Sequence, residues 1–235
     1  MDSKDLIALY ETWKRTYGSN TFRHISAILT EAKELHHKDW LKRPTANGDH
    51  EQSWRAFKGK NLEKLVTHII KDEVESLGLK IADGNTLERT QESNLSLEMN
   101  KVWQNLQVKF VIDGTSFGQL PDVDIVIYRP KSAEVLAVLS SKVTLRERIA
   151  QTGYWKIKLS QSSRTKDIKV FFVTPDEDGT LTSRFPMKKG RAIVEVDTDG
   201  AYVMTEAKVE TSKRVKLFDQ FIIDLKELLV SNKSS

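Results

Sequence analysis

Residues 121–148 read PDVDIVIYRPKSAEVLAVLSSKVTLRER. Two β-rich runs, 122–128 and 134–141, flank the short segment Arg129-Pro130-Lys131-Ser132-Ala133. That arrangement predicts a β-hairpin with a short loop. Folded symmetrically about residue 132, the hairpin sets Asp122 opposite Lys142 and Asp124 opposite Ser140. Side chains alternate along a strand, and these four positions share parity, so they face one side. Two carboxylates and an ammonium on one face make a poor core. They suit a divalent cation and a phosphate. A helix is predicted directly afterwards, from about Leu145 to Leu159.

Outward from the hairpin, the first third of the chain has helical spacing: Leu6, Leu9, Tyr10 and Trp13, then Phe22, Ile25, Ile28, Leu29 and Ala32. Pro44, Asn47 and Gly48 interrupt it. An amphipathic helix follows Gly59, with Leu62, Leu65, Val66, Ile69, Ile70, Val74 and Leu77 on one face and Gly78 at its end. Residues 79–100 are polar and give no clear period. Leu106, Val108, Phe110 and Ile112 alternate as a strand, and 168–174 (IKVFFVT) reads as a fully buried strand. Residues 192–196 and 201–204 are expected to form a second hairpin around Asp197-Thr198-Asp199-Gly200, before a closing helix through Val215, Phe218, Phe221, Ile222, Leu225 and Leu228. The fold class expected is α/β, mixed α+β, with an N-terminal helical part at 1–58 and a core at 59–235, or one continuous domain.

Hydrolysis of a phosphodiester needs a nucleophilic water and relief of charge at the transition state, which carboxylate-held Mg²⁺ supplies. On this reading Asp122 is the metal ligand and Lys142 the catalytic lysine. A Pro-Asp at a strand start is also ordinary turn chemistry, and a strand-end lysine is often solvated. Glu63 falls on the apolar stripe of its helix and offers a further ligand; the alternative is an acid snorkelling at a helix end or favouring the N-terminal dipole. Glu73 lies on the same stripe and competes for that role.

Arg146-Glu147-Arg148 begins four residues after Lys142. Arginine can pair bidentately with guanine O6 and N7, and glutamate can accept from cytosine N4. At a helix start these side chains fan outward toward a phosphate-rich partner. Thr144-Leu145-Arg146-Glu147 also matches a capping box, which competes for the Glu147 carboxylate.

Composition bounds the rest. The 235 residues contain no cysteine, which excludes disulfides, thiolate metal sites and cysteine nucleophiles and fits a reducing, cytoplasmic location. A net charge of +4 permits nucleic-acid binding without requiring it. The N-terminus lacks an uninterrupted apolar core, so no signal peptide is read, and no segment reaches the length of a membrane span. His36-His37 and His50 lack metal-ligand spacing and are read as helix-surface or loop residues; Asp176-Glu177-Asp178-Gly179 reads as a solvated turn.

Pro-Asp, a gap, Ser-x-Lys, three residues and then Arg-Glu-Arg resemble type II restriction endonucleases of the PD-(D/E)XK fold that cut CCGG-centred or interrupted CC…GG sites. SSKVTLRERIAQTGYWK is most similar to the BsaWI-type enzymes. The resemblance covers about Gly59 to Lys158. It implies a mixed central sheet flanked by helices, Mg²⁺ as cofactor, double-stranded DNA as substrate, a homodimer or tetramer, and a companion DNA methyltransferase in the host. Ser140 stands where the first acid of the (D/E)XK triplet usually lies. Several relatives carry a compensating glutamate thirteen or fourteen residues after the lysine; here those positions are Trp155 and Lys156, which moves attention to Glu63. Arg146, Glu147 and Arg148 are then the residues that read C·G pairs. Apart from the resemblance, loops near Lys188-Lys189-Gly190-Arg191 are candidates to meet the outer bases, and solubility explains their charge equally well. Two other functions compete: a structure-specific repair or recombination nuclease, and a non-catalytic sequence-specific DNA-binding protein.

Overall fold

A computed structural model describes residues 1–42, 48–145 and 148–231, the side chains of Arg148 and Ser231 excepted. Three helices open the fold, α1 (Ser3–Tyr17), α2 (Ile25–Trp40) and α3 (His50–Ser76), the last running without a break across residue 58. The last starts at His50 rather than after Gly59, because Asp49 caps it by accepting from the Glu51 N–H. Beyond it Gly78 takes the left-handed conformation that lets the chain turn back.

The stretch without a clear period resolves into β1 (Lys80–Asp83), α4 (Gly84–Arg89) and α5 (Leu97–Leu106). Next come an exposed ribbon, β2 (Val108–Ile112) with β3 (Thr115–Gln119), and the hairpin β4 (Ile125–Tyr128) and β5 (Val135–Ser141). The chain continues through α6 (Arg148–Ser160), β6 (Lys169–Thr174), α7 (Lys189–Asp197), β7 (Gly200–Val203), β8 (Val215–Leu217) and α8 (Phe221–Ser231).

The main sheet has the order β1-β4-β5-β6-β7-β8. β1, β4 and β5 pair antiparallel; β5 through β8 pair parallel. Its faces alternate as strand geometry demands. Ile125, Ile127, Ala137 and Leu139 join the core formed with α1, α2, α3 and α8. Val126, Tyr128 and Val138 face Trp155 and Leu159 of α6 and the buried residues of α5. Both faces are covered, which explains why β4 and β5 are buried throughout.

The second hairpin is not formed. Residues 192–196 lie inside α7, whose Arg191 and Val194 are buried. A parallel β6–β7 pair cannot be joined by a tight turn, and α7 lies within the connection between them. The β-branched composition of this helix suggested a strand; packing against α6 overrides it, with a built Cβ on Gly153 only 3.2 Å from Asp197 Cβ. Asp176 is buried, not solvated, and its carboxylate accepts from the Thr180 and Leu181 N–H groups. His36 is buried as well, its Nδ1 3.1 Å from His50 Nε2. Among the described residues no helix is long and apolar enough to cross a membrane.

Candidate active site

The β4–β5 ladder pairs Ile125 with Leu139 and Val126 with Val138. Asp124 extends it by donating its N–H to Leu139 O at 3.0 Å, which sets it opposite Ser140. The ladder stops there. Val123 is drawn toward the turn between β1 and α4, where Gly84 donates its N–H to Asp124 O at 3.0 Å. A Cβ on Gly84 would lie 2.0 Å from Val123 O, so only glycine permits this approach.

The acid beside Lys142 is therefore Asp124, not Asp122. Lys142 Nζ donates to Asp124 Oδ2 at 2.6 Å, and the Ser141 N–H donates to the same oxygen at 2.6 Å. Asp124 is 6% exposed. Asp122 lies beyond the last ladder bond and is half-buried; its Oδ2 accepts from Gln151 Nε2 of α6 at 2.7 Å. Ser140 is buried toward α6, its Oγ 3.4 Å from Thr152 Oγ1.

Glu63 comes to the same place from α3. Its carboxyl lies close enough to Asp124 to feel that charge, and its Oε2 accepts from Asn85 Nδ2 at 3.0 Å. Burial, together with the charges of Asp124 and Asp83, pushes the Glu63 carboxyl up to about 7. Glu73, the rival on that helix, is exposed. Asp83 and Asn85 lie in the stretch whose period could not be read; the Asp-Gly pair at 83–84 was the available turn signal. Gln151 and Thr152 carried no motif.

Trp155 and Lys156, at the positions of the relatives' downstream acid, are structural. Trp155 packs in the core between α6 and the sheet. Lys156 Nζ donates to Ile168 O and lies 2.7 Å from Asp199 Oδ2. Arg146 and Glu147 lie outside the described residues, and so does the capping box; Arg148 opens α6. Arg191 is buried and holds the carbonyls of Leu181 and Glu210, so it is no surface reader.

Among the described residues no cluster of three or more His, Asp or Glu surrounds a point where a metal could sit. The donor set present still fits a hard divalent cation. Two carboxyls lie close together, and burial and repulsion raise the Glu63 carboxyl to about 7. A cation would relieve that repulsion.

Crowded acids that can hold a cation, beside a lysine able to meet a phosphate, are the equipment of a nuclease, and the mixed sheet presents them at the end of one strand. Comparison with known proteins gives the family. The BsaWI restriction endonuclease type 2 profile matches residues 97–224. MjaVIP of Methanocaldococcus jannaschii, assigned as a type II restriction enzyme, is 31% identical over 218 residues, covering 87% of this chain and 93% of that one. HpyAORF263P of Helicobacter pylori, assigned likewise, is 29% identical over 169 residues, covering 68% and 84%. The restriction endonuclease PspGI, solved with substrate DNA, shares the fold at a TM-score of 0.54 and 13% identity, covering 98% of this chain and 94% of that one. The chain belongs to the BsaWI type II restriction endonuclease family and is a site-specific nuclease.

Proposed function

We propose that this nuclease is Mg²⁺-dependent and hydrolyses double-stranded DNA at a palindromic site with a CCGG-like core, acting as a homodimer in a host with a companion DNA methyltransferase. The observation that carries the chemistry is the contact of Lys142, Asp124 and Glu63 at one strand end. Asp124 and Glu63 are the residues that would hold the metal, with Asp124 taking the role first expected of Asp122. Bound Mg²⁺ supplies Lewis-acid polarisation of the phosphate and a more acidic water.

This chain's own groups do the rest. Lys142, at the strand end beside Asp124, is placed to offer its ammonium to a phosphate oxygen, where charge develops in the transition state. Asn85 holds the Glu63 carboxylate in place by its hydrogen bond. Ser140 occupies a buried position that accepts no charged side chain without a partner. Arg146, Glu147 and Arg148, the last opening α6, read the C·G pairs. The Gln151–Asp122 hydrogen bond ties that helix to the hairpin, coupling reading to cutting. A two-fold site calls for a two-fold protein, which supports the homodimer; a tetramer would pair two such dimers.

Purified protein incubated with phage DNA and Mg²⁺ tests this. Discrete fragments with ends at a CCGG-containing palindrome are expected, with none after chelation. A uniform smear, cutting that ignores chelation, or specific binding without cleavage would each overturn it.

A further inference from the structure

The segment from Pro175 to Gly190 is pinned at both ends against the turn that leads from Lys142 into α6. At its start, the Glu177 N–H donates to Val143 O. At its end, a Cβ on Gly190 would lie 2.6 Å from Ile149 Cδ1 and 2.6 Å from Thr180 Cγ2, so the chain presses on the first turn of α6. Its base is fixed by the buried Arg191 guanidinium, which holds Leu181 O, Glu210 O and the Glu195 carboxylate. Within residues 183–189 (SRFPMKK), Arg184 to Lys189 are exposed.

This stretch carries an unusual combination of groups. Phe185 is 79% exposed and Met187 is exposed beside it. Arg184, Lys188 and Lys189 flank them, and residues 183–189 contain no acid. Arg184 places its guanidinium 5.9 Å from the Phe185 ring centroid. Lys188 Nζ donates to a backbone oxygen, Asp178 O, so this contact leaves its charge unneutralised. The neighbouring acid Glu210 is engaged by the Arg184 N–H. A solvated loop has no use for an exposed ring among three cations. A polyanion with flat aromatic faces does: cations meet phosphates, and an apolar side chain packs on or between bases.

We propose that residues 183–189 form a second DNA-contacting element. Phe185 packs on a base or sugar face flanking the recognition core, and Arg184, Lys188 and Lys189 engage phosphates. The proposal rests on the reading that α6 approaches duplex DNA at its N-terminal end.

The test uses the full chain with Mg²⁺ chelated. Anisotropy of a labelled duplex containing CCGG, and of one lacking it, is followed across a salt series for wild type, Phe185→Ala, Phe185→Trp and Lys189→Ala. Cleavage with Mg²⁺ and Tm are measured in parallel. Phe185→Ala should weaken duplex binding about tenfold with Tm unchanged, and Phe185→Trp should restore it. Lys189→Ala should reduce the salt slope by about 1. Phe185→Ala binding within a factor of about two of wild type at every salt overturns the loop's role, and the nuclease reading survives if wild type still cuts. Loss of binding by Phe185→Ala in a protein that never cuts supports the loop and overturns the nuclease reading. Wild type that binds neither duplex and does not cut overturns both.

Discussion

The Lys142 ammonium lies 2.6 Å from Asp124 Oδ2, while Asp122, two residues earlier, bonds Gln151 instead. This pair is partly shielded, with Lys142 20% and Asp124 6% exposed, so each partner compensates a charge the other would leave stranded. Lys142 is the group placed to meet the phosphate, with Asp124 and Glu63 the residues that would hold the metal. Lys142→Ala should lower kcat by about 10²- to 10³-fold, the scale of a lost transition-state donor, and leave duplex affinity nearly unchanged. Single-turnover cleavage beside anisotropy checks this; equal losses in both would point to a folding defect.

Glu63 gives a pH dependence of defined sign. Its carboxyl is raised, by burial first and then by Asp124 and Asp83, to about 7. A group raised in the folded state contributes stability that is present below about pH 4.5 and lost as pH rises through about 7. A cation favours the charged form and offsets that loss. Mg²⁺ should therefore raise Tm more at about pH 8 than at about pH 5.5, and Glu63→Gln should abolish the difference. Cleavage should rise with pH through the same window. A thermal-shift titration with and without Mg²⁺ reads the effect directly.

Gly84→Ala tests whether the β1–α4 turn positions the site. The added methyl has no space against Val123 O, and the displacement that makes room moves Asp83, Asn85 and Asp124 relative to Glu63. A stability loss of about 1–3 kcal/mol is expected from denaturant unfolding. Cleavage should fall by more than the folded fraction does. Unchanged activity per folded molecule would mean that the turn is only a connector.

Lys156→Glu tests whether an acid at a position used by relatives can restore a ligand here. It should not, because the Lys156 ammonium is bound to Asp199 and Ile168 O on the sheet side of α6. The change sets two carboxylates against each other. Removing one partner of a buried pair costs roughly 3–5 kcal/mol, and partial exposure of Lys156 discounts that. A lower Tm with no gain in cleavage is expected.

Much of the fold was legible where one period ran long enough. The stripe of α3 and the alternation of β4 and β5 announce themselves, and the predicted opposition of Asp124 and Ser140 is continuous with the observed register. Residues 79–100 stayed opaque because β1 and α4 span only four and six residues. Residues 192–196 misled because their β-branched side chains serve a helix packed on α6. In the site, parity brought Asp122 and Asp124 to the same face but could not choose between them. That choice depends on where the ladder ends, and a contact between Gly84 and Val123, distant in sequence, ends it.

On this reading Asp124, not Asp122, serves metal-dependent cleavage together with Lys142 and Glu63. Single-turnover cleavage of a duplex bearing the mapped site, with saturating Mg²⁺, compares Asp124→Asn with Asp122→Asn. Asp124→Asn should lose at least about 10²- to 10³-fold in rate while Asp122→Asn stays within about tenfold of wild type. The reverse order, with Asp122→Asn inactive and Asp124→Asn cutting near the wild-type rate, would contradict it.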